Sequence, residues 1–362
     1  MRPLEATLPP SPIDLHAATT VVDGSTVIEL SDEHIERIRR GGVTAVNHTV
    51  TVPYADTVTA LRQVNECRRW IDGHSDSVLL ALDVADIARA KAEGREAVIL
   101  GPQDTEMIGV DLDLLGTFHD LGVRILQLTY QRQNLLGSGC GESSDSGLTH
   151  QGRAFVREMN ELGVLVDVSH CGERTGLDAM DASGRPVVVT HSFCDALSPH
   201  IRAKSDAYLR RLAEQRGVIG ITSLSAFLYH PGDPARRPDL ARFVEHVSRV
   251  GEVAGIDHVA VATDYDETLT EAMRAEQAKA KEFHNLLGDW PWDQRRAVGM
   301  DDHSHFANFT AALLDGGFSA EEVGKVLGGN WLRVFAEAWK PGPSMSNPSP
   351  RKETSDEKTH PL

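Results

Sequence analysis

Histidine, carboxylate and amide side chains in this chain of 362 residues gather where apolar runs end. His16, His48, His170 and His191 close such runs, and Asp264 closes another inside Thr263-Asp264-Tyr265-Asp266. Gln103, Tyr130 and Ser223 stand at the ends of the others. Neutral imidazoles on adjacent strands can converge on one divalent cation, typically Zn²⁺. His170 and His191 end consecutive runs and are the natural pair. A carboxylate at Asp264 can ligate the metal or take the proton of a metal-activated water. Metal-assisted hydrolysis is the chemistry these residue types favour. The chain has no Gly-x-Ser-x-Gly elbow, which argues against a serine hydrolase. His48 reads as a core residue or a support to the site, with a further metal ligand as the alternative, and His74, His119, His150 and His246 read as solvated.

Those positions imply strands to carry them. Apolar, often β-branched runs recur at Ser11–His16, Val43–Val50, Ala97–Gly101, Val123–Tyr130, Val164–His170, Pro186–His191, Val218–Ser223 and His258–Asp264. Amphipathic stretches such as Ser31–Arg40, Ala55–Asp72, Gly152–Leu162 and Leu240–Ala254 lie between them. Nearly continuous hydrophobic strands alternating with helices predict a parallel sheet covered by helices. Eight repeats predict a (β/α)8 barrel of the TIM type, with its chemistry at the C-terminal strand ends. No Gly-x-Gly-x-x-Gly follows the first run, which disfavours a dinucleotide-binding sheet.

The expected organisation is an arm at residues 1–10, the barrel at 11–340 and a disordered tail at 341–362. That tail is rich in Pro, Ser, Lys and Glu and too poor in apolar residues to order itself. Glu267–His305 reads as a polar helical insertion after the eighth strand. Ala320–Trp339 reads as a helix opened by a capping box of Ser319 and Glu322.

Acidic residues outnumber basic ones, 53 to 36, so a nucleic-acid partner, which needs a basic face, is not expected. No apolar run spans a bilayer. Met1–Pro12 has one Arg and no apolar segment of the secretory kind, so the expected compartment is the cytosol. Cys67, Cys140, Cys171 and Cys194 form no Cys-x-x-Cys pair and read as reduced thiols.

Several segments carry a more specific likeness. They include Gly122-Val123-Arg124-Ile125-Leu126-Gln127-Leu128-Thr129, Gly147-Leu148-Thr149, Glu158-Met159-Asn160-Glu161-Leu162-Gly163, Val166-Asp167-Val168-Ser169-His170 and Val189-Thr190-His191-Ser192. Ile201-Arg202, Ser205-Asp206, Gly255-Ile256-Asp257-His258-Val259 and Gly328-Gly329-Asn330-Trp331-Leu332-Arg333-Val334 extend it. Over about residues 11–338 the chain resembles the membrane (renal) dipeptidases, peptidase family M19 of the amidohydrolase superfamily.

The resemblance implies that His170 and His191 hold one metal. It places a His-x-Asp after strand one at His16-Ala17-Ala18, where the histidine is kept and the aspartate is lost. The metal-bridging glutamate falls at Gln103, and a histidine after strand four falls at Tyr130. Arg202 matches the arginine that grips the substrate carboxylate, and Asp264 the acid/base aspartate. A homodimer is also implied. The expected activity is metal-dependent hydrolysis of a small carboxylated amide, a dipeptide or N-acyl amino acid. One Zn²⁺ is expected to bind tightly and a second weakly or not at all, with Tyr130 donating to the developing oxyanion. A non-catalytic ligand-binding protein, or a lactam hydrolase or lyase using the same half-site, are the alternatives.

Overall fold

The computed structural model describes residues 11–266 and 290–339. The arm at 1–10, the tail at 341–362 and most of the expected insertion lie outside the described residues. Of that insertion, single 3-10 turns at Trp292–Gln294 and His303–His305 are described.

Helix α1 (Pro12–Ala18) comes first, followed by β1 (Val22–Thr26), α2 (Asp32–Arg40), β2 (Ala45–His48) and α3 (Thr57–Gly73). Next are β3 (Val78–Leu80), α4 (Val84–Glu93), β4 (Glu96–Leu100), α5 (Asp113–Asp120) and β5 (Ile125–Gln127). The second half alternates α6 (His150–Leu162), β6 (Leu165–Asp167), α7 (Glu173–Ala182), β7 (Val187–Ser192), α8 (Asp206–Glu214), β8 (Val218–Ile221), α9 (Leu240–Ala254) and β9 (Val259–Val261). Helices α10 (Ala307–Asp315), α11 (Ala320–Gly324) and α12 (Asn330–Ala338) close the described chain.

All ladders are parallel, in two sheets of order β1-β2-β4-β3 and β5-β6-β7-β8-β9. Single bridges join the sheets at both seams, Leu100 to Val123 and Thr26 to Tyr265. β3 pairs with the first half of β4, and the chain leading into β5 meets the end of β4 at Leu100. Eight strands thus follow one another as in a (β/α)8 barrel, with β3 wedged beside β4.

The expected first strand, Ser11–His16, is instead α1. Ser11 caps it by accepting from the Asp14 amide, and Pro12, which lacks the N–H a ladder needs, opens it. The true first strand is Val22-Asp23-Gly24-Ser25-Thr26, whose polar composition hid it. Gly24 is required by packing: a Cβ there would sit 2.3 Å from the Trp331 ring. Trp331 is fully buried inside the barrel with Val22, Ala45, Ala97, Leu165, Val188 and Ala260, and its indole donates to the Val261 carbonyl at 3.0 Å. The capping box of Ser319 and Glu322 is present. The single helix expected over 320–339 is broken by a π-turn at Lys325–Gly329, ahead of the helix that inserts Trp331.

Candidate functional site

His170 follows β6 and His191 lies in β7, so adjacent strands bring them together, with Nε2 atoms 2.9 Å apart. The ladder between β7 and β8 shifts register between Val189 and Ser192, an irregularity that re-aims the side chains at this end. Tyr130 stacks on His170 at 4.1 Å between ring centroids, and Tyr54 meets Tyr130 edge-on at 5.6 Å. Burial holds both imidazoles well below their ordinary pKa, and the charges of Arg202 and Lys204 add to it. Both rings are therefore neutral at pH 7.

The proton on His191 can be located from its neighbours. Ser169 Oγ and Thr190 Oγ1 both donate to the buried Asp167 carboxylate, so Thr190 Oγ1 has spent its hydrogen. At 2.9 Å from His191 Nδ1 it must accept, which places the ring proton on Nδ1 and leaves Nε2 a bare lone pair. A carboxylate thus fixes a ligand-ready tautomer through one hydroxyl. His170 Nδ1 is buried without a partner.

Asp264 stands just beyond β9 and keeps a partly accessible surface while protein surrounds it. Burial pushes its carboxyl up to about 7; Asp266 and Asp23 add to the rise, whereas Arg202 and Arg295 oppose it. Its backbone is left-handed, with φ +54°, which costs a non-glycine residue about 1–2 kcal/mol. Burial and the nearby Asp264 raise the Tyr130 phenol, so its hydroxyl remains a donor.

Arg202 is fully buried and donates Nη1 to the Ser169 carbonyl and Nη2 to the His191 carbonyl, the latter at 3.1 Å. Its Nε is enclosed without a partner. Both Nη atoms tie together the loops that carry the two histidines, whereas the sequence led one to expect Arg202 to grip a substrate carboxylate. Lys204 is also buried, 3.4 Å from the carbonyls of Val168 and Cys171, and burial lowers its ammonium to about 8. Among the described residues neither cation has an acidic partner in an ion pair. Arg202→Lys, which keeps the charge and loses the fork, should lower kcat/KM by about 10- to 100-fold on carboxylated and amidated substrates alike. A loss confined to carboxylated substrates would restore the gripping role.

The residues expected to form the other half of the metal site make other bonds among the described residues. His16 lies in α1, with Nδ1 2.7 Å from Thr310 Oγ1 and Nε2 2.8 Å from the Gly41 carbonyl, so both ring nitrogens serve helix packing. Ser25 and Thr26, which end β1, and Val27 after them offer neither imidazole nor carboxylate. The amide of Gln103 donates to Thr49 Oγ1 at 2.8 Å and reaches Ser25 Oγ at 3.5 Å. No hydrogen bond among the described residues joins it to His170 or His191. His48 is buried at the end of β2, where burial, with His34 adding, lowers its imidazole to about 4. His246 is buried too, contrary to its solvated reading, with Nδ1 accepting from the Cys194 amide at 3.1 Å. All four cysteines are free, and burial raises the Cys67, Cys171 and Cys194 thiols to about 12, which makes them inert at neutral pH.

Among the described residues no three His, Cys, Asp or Glu side chains are grouped to hold a metal. The donor set fits one divalent cation on His170 and His191, with its remaining positions left to water or substrate, and does not fit a carboxylate-bridged pair.

The family model for membrane dipeptidase (peptidase family M19) matches residues 12–288. The chain belongs to that family. Dipeptidase tcpJ of Claviceps purpurea is 32% identical over 288 residues, covering 79% of this chain and 61% of that protein. The chain thus spans about three fifths of that relative's length. Dipeptidase verJ of Clonostachys rogersoniana is 27% identical, covering 92% of this chain and 81% of the other. An amidohydrolase from Pseudomonas aeruginosa superposes with a TM-score of 0.82 at 30% identity, covering 91% of this chain and 99% of that one. A metallopeptidase from Rhodobacter sphaeroides, solved with a phosphinate mimic of L-Ala-D-Ala, shares the fold with a TM-score of 0.75 at 21% identity, covering 89% and 99%. No described helix of this M19 chain is long and apolar enough to cross a membrane.

What the sequence reading missed is the support of the site: Asp167, Thr190 and Lys204, and Asp23 with Thr263. A repeated pattern carried the signal. Asp-x-Ser occurs at both 23–25 and 167–169, and a threonine directly precedes both His191 and Asp264.

Proposed function

We propose that this M19 chain hydrolyses the amide bond of a small carboxylated substrate, a dipeptide or an N-acyl amino acid. The observation that carries the reading is the pair of neutral imidazoles with facing Nε2 atoms on the same rim as a carboxyl poised near 7. A divalent cation such as Zn²⁺, held by His170 and His191, would supply Lewis acidity toward the substrate carbonyl and the attacking water. Ionised Asp264 takes the proton of that water as it attacks and returns it to the leaving nitrogen, and a group titrating near neutrality suits both transfers. The Tyr130 hydroxyl donates to the oxygen on which negative charge develops. The buried charges of Arg202 and Lys204, unpaired with acid, make the rim favourable to an anionic substrate. Relatives named dipeptidases support the substrate class.

The purified chain supplied with Zn²⁺ should release amino acid from members of a panel of dipeptides and N-acyl amino acids. Counterparts with an amidated C-terminus, which lose the attraction of those buried charges, should turn over at least about tenfold more slowly. Binding of the panel without any turnover would favour a non-catalytic ligand-binding role.

A further inference from the structure

We infer that Asp23 is a positioning residue for Asp264, acting through Thr263, in the same way that Asp167 acts through Thr190 on His191. The inference rests on reading Asp264 as the acid and base of the site.

The two arrangements share three bonds, two from amides and one from a threonine hydroxyl. Asp167 Oδ1 accepts from the Ser169 amide at 2.9 Å and the Thr190 amide at 3.0 Å, while Oδ2 accepts from Thr190 Oγ1 at 2.6 Å. Asp23 Oδ1 accepts from the Ser25 amide at 3.3 Å and the Thr263 amide at 2.7 Å, while Oδ2 accepts from Thr263 Oγ1. In each case a strand-borne aspartate closes a turn onto the serine two residues on. It then holds, by amide and hydroxyl together, the threonine, in the adjacent strand for Thr190 and just beyond it for Thr263, that directly precedes the reacting side chain. β1 and the chain after β9 are adjacent through the bridge between Thr26 and Tyr265.

On the Asp23 side the clamp is tighter still. His303 Nε2 lies 3.0 Å from Asp23 Oδ2, so both carboxylate oxygens are engaged and the group, fully buried, cannot reorient. Thr263 Oγ1, having donated to Asp23, accepts from the Tyr265 amide at 3.3 Å, and the Asp264 amide donates to the Ser25 carbonyl at 2.8 Å. The residues on either side of Asp264 are thus fixed, and its left-handed backbone is imposed by bonds outside the residue itself. The direction in which the side chain leaves the chain follows from that backbone.

Thr263→Val removes the hydroxyl at nearly constant shape, and Thr263→Ser keeps it. Thr263→Val should lower kcat by about 10- to 100-fold with KM unchanged, because misplacement of a reacting group by about 1 Å costs that much. Thr263→Ser should stay within about threefold of the wild type. A crystal structure of Thr263→Val should show the Asp264 carboxyl displaced. If that variant does not accumulate, Asp23→Asn, which cannot accept on both sides, should give the same loss and displacement. A wild-type kcat in these variants, or an unmoved Asp264 carboxyl, overturns the clamp. Full activity in Asp264→Asn overturns instead the reading of Asp264 as acid and base, and the clamp is then decided by the carboxyl position alone.

Discussion

Asp264→Asn should lower kcat by about 10²- to 10⁴-fold while leaving KM nearly unchanged, because it removes proton transfer and keeps shape and size. Steady-state kinetics on any substrate the wild type turns over will measure it. The pH dependence makes the same point independently. With its carboxyl pushed up to about 7 by burial, Asp264 is mostly protonated at pH 5 and ionised at pH 8. A base must be ionised to act, so wild-type kcat/KM should rise through a midpoint near 7, and the residual activity of Asp264→Asn should lack that limb. Stability should move the other way. Because the folded pKa lies above the unfolded one, the folded state binds the extra proton between them, and the contribution is fully present below the unfolded value. It is lost as pH rises through about 7, so urea midpoints of the wild type should carry a downward component between pH 4 and 8 that Asp264→Asn lacks. An activity profile for Asp264→Asn identical to the wild type's would remove this residue from the chemistry.

The second large effect concerns metal. After equilibration with excess Zn²⁺ and dialysis, elemental analysis should find no more than one tightly held ion per chain. His170→Ala and His191→Ala should each abolish both retention and turnover, since one imidazole cannot hold the ion. Two divalent ions 4 Å apart repel by roughly 17 kcal/mol at an effective dielectric of about 20, before anionic ligands offset it. The anions that would offset it are missing. Gln103 is neutral and bonded to Thr49, Asp104 accepts from the amides of Tyr54 and Glu106, and Glu106 is held by both forks of Arg132 at 3.0 and 2.8 Å. None is free to swing in. Ala18, where the sequence suggested a lost aspartate, ends α1 away from the strand ends. The restoring change belongs at Ser25, whose Oγ lies 3.5 Å from the Gln103 amide. Ser25→Asp with Gln103→Glu should therefore raise the retained Zn²⁺ toward two. Two ions held by the unaltered chain would refute this account of the site.

The strands that could be read directly are those whose residues are apolar on both faces, such as Val187-Val188-Val189 of β7 and Val218-Ile219 of β8, because a helix-covered parallel sheet buries both. β1 was not legible for the opposite reason. Asp23 and Ser25 serve hydrogen bonds and Gly24 makes way for Trp331, so the strand carries little apolar pattern, and Ser11–His16 took its place. That displacement of one element also carried His16 into the expected metal site. His170, His191 and Asp264 were legible because they end strongly patterned strands. Asp167 and Asp23 were not, since a single sequence does not show which threonine a buried carboxylate will meet across a sheet.

The two seams give the barrel a division of labour. The imidazole pair, the carboxylate that sets its tautomer and the guanidinium that ties its loops all belong to the β5–β9 sheet and its loops. The side chains of Ser25, Thr49 and Gln103, at or just beyond strand ends of the other sheet, bond to one another. Asp23 belongs to that sheet too and reaches across the seam to Thr263, as the Ser25 carbonyl does to the Asp264 amide, so β1 takes part in holding the proposed acid and base in place.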